Sequence, residues 1–82
     1  MRVVYELTFV RQCPLDDSKD SYQLTIEANH IITAEDILHV INNDLPEKAF
    51  QEDLTKIIAR KLGTECVTTV GYHSGVKTTC TV

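Results

Sequence analysis

The chain has 82 residues, 43% of them hydrophobic, three cysteines and a formal net charge of −4. A chain of this length fills one core and buries only about 60% of its unfolded surface, which excludes a second domain and makes oligomerisation a natural supplement. The acidic balance, with no lysine or arginine between Lys19 and Lys48, argues against a tight grip on a phosphate backbone, and three unevenly spaced cysteines fit free thiols in a reducing compartment better than a disulfide framework.

The opening "MRVVYELTFV" carries Arg2 and Glu6 and lacks the apolar core and cleavage site of a secretory signal. No run approaches the roughly 20 apolar residues of a membrane span, so a cytoplasmic protein without a membrane partner is expected. Val3, Tyr5, Leu7 and Phe9 alternate with Arg2, Glu6 and Thr8, the period of a half-buried strand. After the polar stretch "RQCPLDDSKD", Tyr22, Leu24, Ile26 and Ala28 alternate with Gln23, Thr25 and Glu27. The two strands predict an antiparallel hairpin with a long connection of the kind that carries function.

Thr33 offers an N-cap with Asp36 at the capping-box position, and Ile37, Leu38, Ile41 and Leu45 follow at helical spacing. Asp44 and Pro46 mark a break and a restart, since proline suits a first helical turn. The second helix shows one apolar stripe of Phe50, Leu54, Ile57, Ile58 and Leu62, stopped by Gly63. "ECVTTV" and "VKTTCTV" return to strand composition around "GYHSG", a glycine-bounded turn. The order is ββααββ, an α+β single domain over residues 1–82, with no repeat and no linker.

Five groups of residues could carry chemistry. Cys13 is either a tolerated loop cysteine or a nucleophile in a polar, partly exposed site at a strand end. Asp16, Asp17 and Asp20 are by default a solvated acidic loop. Their like charge opposes a thiolate, so a nucleophilic Cys13 requires one of them as a proton donor, as sulfur addition to a carbon–nitrogen multiple bond demands. His30, His39 and His73 show no HxxxH spacing and no CxxC accompanies them, which disfavours a metal site. A Cys66–Cys80 disulfide across the terminal hairpin is geometrically thinkable, although strand cysteines are more often small core hydrophobes. Glu52 falls nearly opposite the apolar stripe of the second helix. It is either an exposed acid or a carboxylate at a subunit seam, able to accept the paired donors of a purine or pterin edge.

These residues resemble a known family. The order ββααββ is similar to one tunnelling-fold unit, an antiparallel four-stranded sheet with two helices on one face, whose members bind purines and pterins at subunit interfaces. Within that fold the chain resembles the nitrile reductases of queuosine biosynthesis (QueF), which act on 7-cyano-7-deazaguanine, and their short QueF-like relatives, the amidinotransferases of archaeosine synthesis. "CPLDDSKD" keeps Cys13, Pro14 and Asp20 at the offsets of the family's CPxTxQPD-type stretch; Phe50, Gln51 and Glu52 stand at its Phe-His-Glu; "HSGVKTT" stands at its closing Arg-Gly-Gly-Ile-x-Thr-Thr strand.

The resemblance implies that Cys13 forms a covalent thioimide with the nitrile and that Asp20 protonates the nitrogen. Glu52 would hold the deazaguanine edge, with Phe50, Gln51 and His73 as further substrate-binding positions. It implies a homo-oligomer with interfacial sites and a purine-like ligand, free or within a nucleic acid. The chain departs from the family in reading "NHIITAEDILHVI" where the reductases carry a lysine-rich signature linked to NADPH. NADPH is therefore a candidate cofactor whose signature is missing, and reduction and amidination are both open fates of the thioimide. Gln51 replaces the family's histidine, His73 its arginine and Ser74 one glycine. The alternative function is a non-catalytic tunnelling-fold module that binds a purine- or pterin-like ligand or acts only in assembly.

Overall fold

The computed structural model describes residues 1–82. Strands β1 (Val3–Gln12) and β2 (Lys19–Ala28) form a hairpin, followed by helix α1 (Ala34–His39), helix α2 (Gln51–Leu62) and a second hairpin of β3 (Cys66–His73) and β4 (Val76–Thr81). All four strands pair antiparallel in the order β1-β2-β3-β4, the α+β arrangement expected. Alternation along β2 sends Tyr22, Leu24, Ile26 and Ala28 to the covered face, where they meet Ile37, Ile41, Leu54 and Ile58 of the helical layer in one core. The opposite face is polar, with Glu6, Thr25, Thr68 and Thr81 in one row across the sheet. No helix is long and apolar enough to cross a membrane.

Local chemistry explains most of the boundaries. Thr33 caps α1, its hydroxyl accepting from the Asp36 N–H at 3.1 Å. Gly63 ends α2 in the left-handed region at φ 62° and donates to the Ala59 carbonyl at 2.9 Å. Ser74 and Gly75, both at positive φ (52° and 82°), make the two-residue turn between β3 and β4.

Four expectations need correction. The first helix does not run regularly to Leu45: after His39 it widens into a π-helical turn over Val40–Asp44, which buries Val40 and Ile41 while Leu38 stays exposed. Pro46 does not open the second helix, because residues 47–49 run alongside the end of β1. There Gln12 donates to the Glu47 carbonyl at 2.9 Å and accepts from the Ala49 N–H at 3.3 Å. Phe50 is not the head of the apolar stripe; it holds the N-cap position with an extended backbone (φ −72°, ψ 150°) and is 43% exposed. The turn is tighter than "GYHSG", since Gly71, Tyr72 and His73 belong to β3 and only Ser74 and Gly75 turn.

Candidate functional site

The register of the first hairpin decides where Asp20 points. Arg11 pairs with Asp20 and Gln12 with Lys19, so β2 starts before the apolar alternation becomes visible at Tyr22. Asp20 therefore shares the inward face of Tyr22. Its side chain is only 10% exposed, and one carboxyl oxygen, Oδ2, is buried without a hydrogen-bond partner. A buried polar atom in that condition is costly unless something outside the fold completes it.

Cys13 begins the turn between the strands. Its N–H donates to the Ser18 carbonyl at 2.8 Å, and its carbonyl accepts from the Asp17 N–H at 3.0 Å. Asp17 takes a positive φ of 60° there, which aspartate tolerates better than most residues. Asp16 ties the turn down by accepting from the Ser18 hydroxyl at 2.7 Å and its N–H at 3.0 Å. Those two bonds, with a weaker one from the Cys13 thiol, hold the Asp16 carboxyl below its usual range. Asp17 lies outside this cluster and pairs with Lys48.

The start of α2 supplies the opposite wall. With Phe50 outside the helix, the inward position of the first turn falls to Gln51, which is 2% exposed, while Glu52 stays on the exposed side. The Gln51 amide nitrogen donates toward the Thr69 carbonyl and hydroxyl, both at 3.1 Å, and the Thr78 carbonyl at 3.0 Å. The Thr55 hydroxyl returns to the Gln51 carbonyl at 2.8 Å and meets the Thr69 hydroxyl at 2.7 Å. The network stitches α2 to β3 and β4 and leaves Gln51 no free donor.

His73, at the end of β3, completes the enclosure. Its Nε2 lies 3.2 Å from Gln51 Oε1, and its Nδ1 lies 3.2 Å from Asp20 Oδ2. The second distance is that of an ion pair, but the ring is turned out of line and makes no hydrogen bond to Oδ2. Cys13, Asp20, Phe50, Gln51, Glu52 and His73, all six candidate residues, line one cavity of about 290 Å³. Tyr22 lines it too; burial first, and the negative charge of Asp20 second, push its phenol up to about 12.

Glu52 has a neighbour that the sequence did not suggest. The Cys80 thiol approaches its Oε1 at 3.9 Å, and burial together with the Glu52 charge pushes that thiol up. Cys80 pairs across the sheet with Thr69 and Cys66 with Glu27, so the two cysteines stand on different rungs and all three thiols are free. His30 and His39 are exposed and do not line this cavity. Sequence reasoning missed Tyr22, Thr69 and the part played by Asp16. Tyr22 was within reach, because i and i+2 on a strand share a face and Asp20 was already a candidate.

The arrangement offers a half-buried thiol at a turn, a buried carboxyl oxygen with unspent bonding capacity, and a second carboxylate at the mouth. No family model and no curated protein matches the chain. Among solved structures it is similar to an archaeosine synthase, QueF-like, in its apo form, with a TM-score of 0.86 and 17% identity over 99% of this chain and 90% of that one. A likeness of that quality at that identity establishes a shared fold across the whole length.

Proposed function

We propose that this chain is a QueF-like enzyme of 7-deazaguanine metabolism that captures the nitrile of 7-cyano-7-deazaguanine on Cys13. The observation that carries the reading is the convergence of Cys13, Asp20 and Glu52, from three separate segments, on one cavity in which Asp20 Oδ2 has no partner. The sequence motifs and the fold shared with an archaeosine synthase support it.

In the proposed step the Cys13 sulfur bonds to the nitrile carbon, one carbon–nitrogen π bond breaks onto nitrogen, and the nitrogen takes a proton from Asp20. The thiol gives its own proton to solvent and Asp20 regains one, so the sum is addition of S–H across the triple bond. Glu52 accepts hydrogen bonds from the deazaguanine edge, and Phe50, exposed at the mouth, offers a surface for the flat ring. The place of the missing NADPH signature is occupied by α1, whose first turn carries Glu35 and Asp36. Two carboxylates do not fit a cofactor's phosphates, which favours displacement of Cys13 by an amine over hydride delivery as the fate of the thioimide.

Intact-mass spectrometry after mixing with 7-cyano-7-deazaguanine tests this reading. The protein should gain the full mass of the ligand, since nothing leaves on addition, and Cys13→Ala should gain none. Reversible binding with no added mass at saturation would instead establish the ligand-binding module, a reading that the full occupation of Gln51 inside the fold favours.

A further inference from the structure

Gln51 and His73 stand at two of the places where the chain departs from the pattern it resembles, and in the structure they touch. The Gln51 amide nitrogen faces two carbonyls and a hydroxyl, so its Oε1 is the atom that meets His73. An amide oxygen only accepts, which requires the hydrogen of that contact to sit on His73 Nε2. The ring's remaining nitrogen, Nδ1, is then held 3.2 Å from Asp20 Oδ2.

That placement sets a polar ring nitrogen beside the buried carboxyl without a hydrogen bond between them. Because the ring is out of line, Oδ2 keeps its hydrogen-bonding capacity for whatever enters the cavity. A direct hydrogen bond would have spent it.

We propose that His73 is a positioning residue rather than a substrate contact: anchored by Gln51, it holds Nδ1 beside the Asp20 carboxyl and acts on it through space while leaving Oδ2 free for the ligand's nitrogen. The groups facing His73 are Asp20 and Tyr22 from β2 and Gln51 from α2; the Tyr22 ring lies 6.1 Å away, centroid to centroid. His73 itself forms and breaks no bond to the ligand. The kinetic part of the proposal rests on the nitrile reading, whereas the Asp20–His73–Gln51 line rests on ligand-free geometry.

Two measurements separate them. Histidine side-chain ¹⁵N spectra of the ligand-free protein, assigned with His73→Gln, should show the neutral ring protonated on Nε2, and Asp20→Asn should move the Nδ1 signal while leaving Nε2 nearly in place. An Nδ1 signal indifferent to Asp20→Asn, or a ring protonated on Nδ1 alone, overturns the line. In adduct formation with 7-cyano-7-deazaguanine, His73→Gln should lower the maximal rate about tenfold or more and leave the half-saturating concentration unchanged. A raised half-saturating concentration with an intact rate makes His73 a substrate contact and overturns the proposal. A wild-type protein that forms no adduct sinks the nitrile reading, and the spectra alone then decide the line.

Discussion

Tyr22 links the chemistry of the cavity to the stability of the fold. Its ring is buried against Phe9 at 5.4 Å between centroids, and its phenol ionises at about 12 instead of the usual 10.0. Between those values the unfolded chain gives up a proton that the folded chain keeps. Stability from this group is therefore complete below pH 10 and drains away as pH rises toward 12. Denaturant midpoints taken below and within that window should fall more steeply for wild type than for Tyr22→Phe; parallel curves would show that the phenol keeps its ordinary ionisation. At this scale the motif positions Cys13, Asp20 and Glu52, picked from separate stretches of the sequence, come to line one cavity. The sequence misled where one residue's backbone changed role: Phe50 was expected to lead the stripe, yet its extended backbone puts it outside the helix and hands the inward position to Gln51. A buried glutamine in place of an apolar residue is costly unless fully bonded, and only tertiary contacts with Thr69 and Thr78 reveal that it is.

Among the elements, β3 bears on the cavity through His73 on its lining and through Gly71, which seats Tyr22. A Cβ at Gly71 would lie 2.6 and 2.7 Å from Tyr22 Cδ1 and Cε1, so the tyrosine ring rests directly on the glycine backbone. The ring is 1% exposed and packs against Phe9. Gly71→Ala should cost about 1–3 kcal/mol in urea unfolding, the range of overpacked cores. Wild-type stability in that variant would mean that Tyr22 sits elsewhere. The helices and strands themselves were readable from period and caps, since Thr33, Gly63 and the alternation in β2 act locally. The π-helical turn and the extended run to Phe50 were not, because both answer to distant partners. Arg11 donates to the carbonyls of Ile41 and Pro46, and Gln12 pairs with residues 47–49, fixing a segment that local propensity would have made helical.

At the scale of the whole molecule the sheet is unfinished. Only 19 of 82 residues are buried, and β1 and β4 are both edges, which an isolated domain this small has little core to offset. Residues 47–49 cover the far end of β1, but β4 has no partner on its outer side. Apolar side chains stand exposed on the cavity's lining, Leu15 at 81% and Phe50 at 43%, and Val76, paired with His73 at the start of β4, is 64% exposed. A second copy pairing along β4 would satisfy the free backbone groups and cover those side chains at once, and it would bring another wall to a cavity that Glu52 borders from its exposed side. The polar threonine row on the uncovered face would remain in water, as the inner surface of a closed ring of sheets. Sedimentation at micromolar concentration should therefore find a closed oligomer with no folded monomer in equilibrium, and dilution should unfold and dissociate the protein together. A stable folded monomer would refute the interfacial arrangement, leaving Cys13, Asp20 and His73 to work in a site open to solvent along one whole side.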